Sequence, residues 1–306
     1  MPPTPIAYWI GFHLALLLLL AAERAYARRQ SRLGRDPQRR ALVTTALWVT
    51  AALALAAFLH HSFGPAAGAQ YLAGYAIEES LSIDNLFVFL LLFRLFQIDS
   101  AHQPRVLFWG VAGAILLRGL FIAGGLTLLA HFVWITYVFA LVLLIAAVRL
   151  LFPAAQGQPA VAPRWLAWLT RLRPISPRQD CFVVREKGRP TATLLLLALV
   201  AIELCDVVFA LDSIPAVLSI TRNAFLAYTS NIMAVMGLRS LYFLLIGALT
   251  RLSMLHYGLA AVLAFAALKM LLSRWFEIGP LSSLVTILTL LTITLGASLR
   301  VPHSSR

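Results

Sequence analysis

The sequence predicts an all-α, polytopic membrane protein with about nine transmembrane helices. Of its 306 residues, 61% are hydrophobic and 12% are charged, whereas a soluble domain has roughly 25% charged residues. Apolar runs long enough to span a bilayer recur along nearly the whole chain. A soluble fold of this composition would expose apolar surface everywhere, so that class is excluded.

Nine apolar segments can be separated along the chain. They cover residues 6–22, 41–59, 71–96, 106–130, 134–152, 191–220, 226–249, 255–275 and 281–299. Most are near the length of about 20 residues that a transmembrane helix needs. The shortest separation is "HFVW", between the fourth and fifth segments.

Basic residues concentrate in alternate loops, which supports this count. The first loop and the long fifth loop are rich in arginine, whereas the second and fourth contain no lysine or arginine. The positive-inside rule then places the N-terminus outside and the C-terminus in the cytoplasm, and the expected location is the bacterial inner membrane. The formal charge of +13 fits contact with anionic lipid headgroups, and nucleic-acid binding is not expected. Within the fifth loop, "RWLAWLTRLR" has the pattern of a helix lying on the membrane.

Half of the 12 acidic residues lie inside two apolar segments, the third and the sixth. They are Glu78, Glu79, Asp84, Glu203, Asp206 and Asp212. One ionised carboxylate at the bilayer centre costs about 3 kcal/mol, so six uncompensated ones would cost about 18 kcal/mol. These groups must therefore be protonated, paired, hydrated or bound to a cation.

Three basic residues inside the segments are candidate counter-charges: Arg118, Arg239 and Lys269. We expect them to be structural counter-ions, and a role in gating or in displacing a cation is the alternative. Because the acids outnumber them, the sequence predicts a site at which protons and metal ions can exchange.

The two acidic segments resemble each other. "EESLSIDN" and "DVVFALDS" each place a second acid six residues after the first, and a polar residue follows directly. The paired positions are Glu78, Asp84 and Asn85 in the third segment and Asp206, Asp212 and Ser213 in the sixth. The two segments are expected to run in opposite directions, which is typical of inverted repeats with a binding site near the midplane.

This repeat defines the expected organisation of the chain. Two peripheral helices with a basic cytoplasmic loop are followed by a first three-helix repeat, a basic loop, a second repeat that is inverted, and a last helix with a short tail. The ranges are 1–60, 71–152, 153–190, 191–275 and 281–306.

The sixth segment contains Pro215, which is a predicted helix break. In an ideal helix the second acid of each motif lies about 120° from the first. Either the helix is therefore broken locally, with the carbonyl of Leu211 freed as a ligand, or the acids form a stripe that serves more than one position.

Four motifs carry a resemblance to a known family: "YAIEESLSIDNLFVF", "ELCDVVFALDSIPAV", "TSNIMAVMGLRSLYFLL" and "YGLAAVLAFAALKML". Over residues 71–275 the chain resembles the TerC family of integral membrane proteins, which is related to the lysine-exporter superfamily. The resemblance implies export of a divalent metal, chiefly manganese, and some members are named for tellurite resistance. Cys205 departs from the family pattern, in which a small hydroxyl residue is common.

The resemblance carries a set of site residues onto this chain. The metal positions are Glu78, Asp84, Asn85, Glu203, Asp206 and Asp212, and Ser213 and Asn231 are possible additional ligands. Cys205, where the chain departs from the family pattern, is a further possible ligand of softer character. Thr229, Ser230, Arg239 and Lys269 match later motifs. Carboxylate, amide and hydroxyl oxygens suit Mn, Mg or Ca. The choice of Mn(II) rests on the resemblance, and no cofactor is expected beyond this transported ion.

Three functions are compatible with these residues. The first is a secondary transporter that exports Mn(II), with proton entry as the candidate coupling. No nucleotide-binding motif is present, so we expect neither ATP drive nor enzymatic activity. The second is a non-transporting membrane component of tellurite resistance or metal loading. The third is an intramembrane aspartyl enzyme with Asp84 and Asp212 as its dyad, although the GxGD pattern of that class is absent.

Overall fold

The structure is a computed structural model. It describes residues 4–34, 36–130, 133–151, 175–186, 188–249, 255–273, 275–276 and 278–300. The segment "RWLAWLTRLR" and the tail after residue 300 lie outside these ranges. So does the link between the fourth and fifth apolar segments.

The described residues form nine helices, and each predicted apolar segment overlaps one of them. They are α1 (Ile6–Arg32), α2 (Pro37–Phe63), α3 (Pro65–Leu95), α4 (Gln103–Ala130), α5 (Val133–Leu151), α6 (Leu194–Ile220), α7 (Ala224–Leu249), α8 (Leu255–Leu272) and α9 (Pro280–Arg300). Within the described part of the chain, α1, α2, α4, α6, α7 and α9 contain stretches long and apolar enough to cross a membrane. The apolar stretches of α5 and α8 are shorter, and α3 carries three carboxylates. The chain is thus an all-α polytopic membrane protein; nine crossings and inverted repeats stay predictions.

Several helices begin at residues that satisfy their first backbone amides. The Asp36 side chain accepts a hydrogen bond from the Gln38 amide at 3.0 Å, and Pro37 begins α2. The Asn223 side chain accepts from the amides of Phe225 and Leu226 at 2.9 and 3.3 Å at the start of α7. These are local signals, readable from the sequence.

The chain divides into two compact units. The first comprises Met1–Ile83, Ile115–His131 and Ala210–Arg251; the second comprises Asp84–Ala114, Phe132–Phe209 and Leu252–Arg306. In the first unit α2 packs against α1 and α7 around Trp48, which is fully buried. In the second unit α8 packs against α5 and α9, with Leu143 of α5 buried. Both cores are apolar, as the burial of large side chains requires.

The expected break at Pro215 needs correction. Helix α6 runs from Leu194 to Ile220 with Pro215 inside it. Pro215 lacks the N–H that would bond the Leu211 carbonyl, but the turns on either side keep their own hydrogen bonds, and such a residue is tolerated in membrane helices. The alternative, a stripe of acids along one unbroken helix, therefore describes α6 better.

The second half of the expected loop at 153–190 is a small three-stranded sheet. Its strands are β1 (Ile175–Ser176), β2 (Val183–Glu186) and β3 (Arg189–Thr193), in the order β1-β3-β2. β3 pairs parallel with β1 and antiparallel with β2, and Glu186 lies opposite Arg189. Gly188, with φ of 77°, makes the tight turn that the sequence analysis did not recognise.

The sheet leads directly into α6 and contacts the loop before α4. The side chain of Thr193, the last residue of β3, accepts a hydrogen bond from the Leu196 amide at 3.3 Å. Gln179 accepts from the Asp99 amide and donates to the Gln97 carbonyl, both at 2.9 Å. On the exposed surface, the Arg178 guanidinium holds the pKa of Asp180 below its usual range. Residues 175–186 and 188–193 thus form a structured part of the second unit.

Candidate functional site: carboxylates within the two units

Glu78 lies in a buried network with Arg118 and Asn231 in the first unit. The three residues come from α3, α4 and α7 and are 1%, 0% and 0% exposed. Arg118 forms an ion pair with Oε1 of Glu78. Asn231 donates from Nδ2 to Oε2 of Glu78 at 2.9 Å, and its Oδ1 accepts from Arg118 at 2.5 Å. Both Glu78 oxygens are thus bonded, as a buried carboxylate requires.

This network gives two predicted site residues a defined geometry. Arg118 lies where a counter-charge to Glu78 would lie. The Asn231 amide contacts both members of the ion pair, and its oxygen faces the Arg118 guanidinium. Asn231 belongs to "TSN", whose Thr229 and Ser230 hydroxyls donate to carbonyls of their own helix.

A second ion pair in the first unit uses an acid that the sequence analysis did not single out. Arg239 of α7 pairs with Oε2 of Glu23 on α1. Trp48 of α2 donates from Nε1 to the same oxygen at 3.2 Å. Glu23 directly follows the first apolar segment. That position is the one sequence feature that could have marked it as an acid at the end of a span. Arg239 therefore connects α7 to α1.

Glu79, the residue after Glu78, lacks comparable hydrogen bonds among the described residues. Its Oε2 is buried and has no hydrogen-bond partner among the described residues. A Cβ at Gly237 would lie 3.8 Å from its Oε1. Two consecutive carboxylates on α3 thus differ, since only Glu78 is fully bonded.

In the second unit, Glu203 of α6 lies against α4. Its Oε2 is buried without a hydrogen-bond partner in the described part of the chain. A Cβ added at Gly113 would overlap both carboxylate oxygens of Glu203. Gly113 therefore makes room for this carboxylate.

Other polar residues of the second unit are also buried. Asp206 lies one helical turn after Glu203 on α6 and is 4% exposed. Cys205 lies between them as a buried free thiol, and Cys181, near the sheet, is also free. Asn85 of α3 is buried, and its Oδ1 has no partner among the described residues.

The remaining predicted residues are only partly described. The backbones of Asp84 and Asp212 lie in α3 and α6, but their side chains are outside the described part of the structure. Ser213 is buried, with no partner for its hydroxyl in the described ranges. Lys269 donates to Ser283 at 3.3 Å within the second unit.

Among the described residues, no group of three or more His, Cys, Asp or Glu side chains is placed to hold a metal ion. The side chains of Asp84 and Asp212 lie outside the described part of the chain, and the six-residue metal site stays a prediction.

Apolar helices with carboxylates enclosed between them define the class of this protein, a polytopic membrane protein with charged groups in its spans. The sequence profile described as "Integral membrane protein TerC family" matches residues 63–305. The chain belongs to this TerC family. The match begins at Phe63, the last residue of α2.

Several curated proteins are similar over nearly the whole chain. A Myxococcus xanthus protein, the uncharacterised membrane protein STKORF319, is 39% identical over 293 residues, which cover 95% of this chain and 91% of that protein. Alx of Salmonella typhi, named as a candidate membrane-bound redox modulator, is 37% identical over 312 residues, covering 98% and 96%. Alx of Escherichia coli K12 is 37% identical over 303 residues, covering 95% and 93%. No solved structure matches the chain.

Proposed function

We propose that this chain is a secondary transporter that exports a divalent cation, Mn(II), from the cytoplasm. The observation that carries the proposal is the state of Glu203. Its Oε2 is buried without a partner among the described residues, and Asp206 lies nearby on the same apolar helix. An ionised carboxylate in such a place is costly unless a proton or a cation occupies it.

The same reasoning separates acids that bind a cation from acids that hold the fold together. Glu78 already has Arg118 and Asn231 as partners. Glu203 and Asp206 are acids one helical turn apart on α6, and a divalent ion would relieve the repulsion between their ionised forms. We propose that the cation is carried by the carboxylates of α6 and α3, with Asp84 and Asp212 as the main ligands and Glu203, Asp206 and Asn85 in support.

The donor set favours a hard cation. Carboxylate and amide oxygens suit Mn, Mg and Ca, and Cys205 is the only sulfur beside these acids on α6. Mn(II) is preferred because the chain resembles a family with manganese exporters. Protons that enter the emptied carboxylates would couple export to the proton gradient.

The proposal includes a topology. Nine crossings, with the N-terminus outside and the C-terminus in the cytoplasm of a bacterium, agree with the arginine-rich first and fifth loops. In this orientation the sheet of β1, β2 and β3 is cytoplasmic.

The test is manganese accumulation in cells that express the wild type or single variants. Asp84→Asn, Asp212→Asn and Glu203→Gln keep side-chain size but remove a charge, and Glu186→Gln on the exposed strand β2 is the matched control. We expect each of the first three to slow Mn(II) export by about tenfold or more, the factor for 1.4 kcal/mol of lost binding, with no change in the control. Export at the wild-type rate in all three would refute the transport mechanism.

The same strains separate the alternatives. Cleavage of a membrane peptide that is lost in Asp84→Asn and Asp212→Asn would favour an aspartyl enzyme. Unchanged manganese with a loss of tellurite resistance would favour a non-transporting component. The relatives named Alx are called candidate redox modulators, and the two free cysteines are the groups of this chain that thiol redox chemistry would use. If the chain is a transporter, Cys181→Ser and Cys205→Ser should leave manganese export intact.

A further inference from the structure

A long apolar groove lies within the first unit between α1, α2 and α7. Its volume is about 870 Å³. Small residues such as Gly11, Ala15 and Ala54 and large ones such as Phe12 and Phe58 line it along α1 and α2, and Met233 is one of two lining residues from α7. Among the described residues that line it, Tyr8 alone carries a polar group.

The groove is not a closely packed helix interface. Small residues along a membrane helix usually allow a neighbouring backbone to approach. A Cβ at Gly11, however, would meet nothing within 4 Å. The adjoining face of α1 is also open, with Leu14, Leu17 and Leu18 at 56%, 61% and 71% exposed. The space along α1 is therefore open to whatever surrounds the helices.

In a bilayer the occupant of such a space is restricted by chemistry. Water needs two to four polar partners to stay in a cavity, and this lining does not offer them. An empty groove would forfeit the dispersion contacts of its walls. Since α1 and α2 are both candidate membrane spans, the surrounding medium is hydrocarbon. A lipid acyl chain satisfies both conditions.

The length of the groove fits this occupant. Its lining runs along α1 from Ala7 to Ala22, which is about 22 Å at 1.5 Å per residue. One leaflet of the hydrocarbon core is about 15 Å thick, half of the usual bilayer value. The groove is therefore long enough to hold an acyl chain that spans one leaflet.

One end of the groove leads toward an arginine-rich turn. Beyond Ala22, α1 ends with Arg29 and Arg32 in its last turn, and α2 begins five residues later with Arg39 and Arg40 in its first turn. Arg29 is seven residues after Ala22, so it lies on nearly the same face of α1. The nearby Asp36 is engaged at the start of α2. The charge at this end therefore complements a phosphate group.

We propose that this groove binds an anionic phospholipid, with an acyl chain between α1 and α2 and its phosphate at Arg29 and Arg40. The lipid would fix the N-terminal helices, which precede the TerC family match, against α7. This proposal is independent of the transported ion.

The test is native mass spectrometry of the purified full chain after exchange into detergent with phosphatidylglycerol or phosphatidylcholine of identical acyl chains. Ala15→Phe and Ala54→Phe fill the groove. Ala46→Phe adds the same side chain at an exposed position of α2 that does not line it. Arg29→Gln with Arg40→Gln removes charge from the turn, and Arg185→Gln on β2 with Arg189→Gln on β3 removes the same charge from the sheet.

We expect the wild type, Ala46→Phe and the sheet variant to retain one phosphatidylglycerol. The groove variants should lose it, and the turn variant should bind it roughly tenfold or more weakly, because each arginine near the surface contributes about 1 kcal/mol. Equal retention of both lipids, or retention unchanged in Ala15→Phe and Ala54→Phe, would overturn the proposal. So would a dimer mass that disappears in those variants, since a second copy would then fill the groove. Monodisperse elution of each variant, together with the two independent groove positions, separates loss of lipid from loss of fold.

Discussion

Glu78 in the first unit and Glu203 in the second are both carboxylates on apolar helices, but their surroundings differ. Both Glu78 oxygens are bonded, to Arg118 and Asn231. Glu203 has an acidic neighbour, and its buried Oε2 lacks a partner among the described residues. A carboxylate with fixed partners has little capacity left for a cation, whereas a carboxylate without them depends on a proton or a metal. Acids in apolar helices of the same protein can therefore have different roles.

The largest loss of thermal stability is expected when the ion pair between Glu78 and Arg118 is broken. Arg118→Met leaves Glu78 buried without its counter-charge, which costs about 3–5 kcal/mol for a buried pair. Thermal unfolding in detergent should show a much lower midpoint for Arg118→Met than for the wild type.

Glu203→Gln provides the contrast, since it removes a charge that has no cationic partner in the described structure. Its midpoint should equal or exceed that of the wild type. Equal destabilisation by both variants would mean that the two carboxylates are held in the same way.

A smaller loss of stability is expected from substituting Gly113, the glycine that makes room for Glu203. A methyl group at Gly113 overlaps the Glu203 carboxylate, so Gly113→Ala should cost about 1–3 kcal/mol through overpacking. It should also lower manganese export. Gly296→Ala on α9 is the control, because a Cβ there meets nothing within 4 Å. That control should be neutral or gain up to about 1 kcal/mol in helix stability. If Gly113→Ala behaves like Gly296→Ala, then Glu203 does not depend on this space.

The smallest effect concerns the second paired acid, Glu23. Trp48→Phe keeps an aromatic ring in the core but removes the donor to Glu23. Because Arg239 still pairs with Glu23, the expected cost is about 1 kcal/mol, a typical value for one hydrogen bond. The unfolding midpoint should fall slightly. A loss as large as that of Arg118→Met would show that Trp48, and not Arg239, holds Glu23.

Much of the fold was predictable from short stretches of sequence. The segment 226–249 and helix Ala224–Leu249 nearly coincide, and the Asn223 cap marks the start of that helix. The strand pair around Gly188 was missed because its apolar pattern is only a few residues long. The break at Pro215 was expected from a local rule, whereas the structure keeps the helix.

The sequence alone is enough to identify this chain as a helical membrane protein, to place it among TerC-like proteins, and to locate carboxylates in its third and sixth apolar segments. These properties depend on hydropathy and on residue types at short spacing. The tertiary structure is needed to show that Arg118 pairs with Glu78, that Arg239 pairs with Glu23, and that Gly113 leaves room for Glu203. Such pairings join residues up to 216 positions apart. They depend on which helix faces pack together, and the order of residues along one helix does not contain that information.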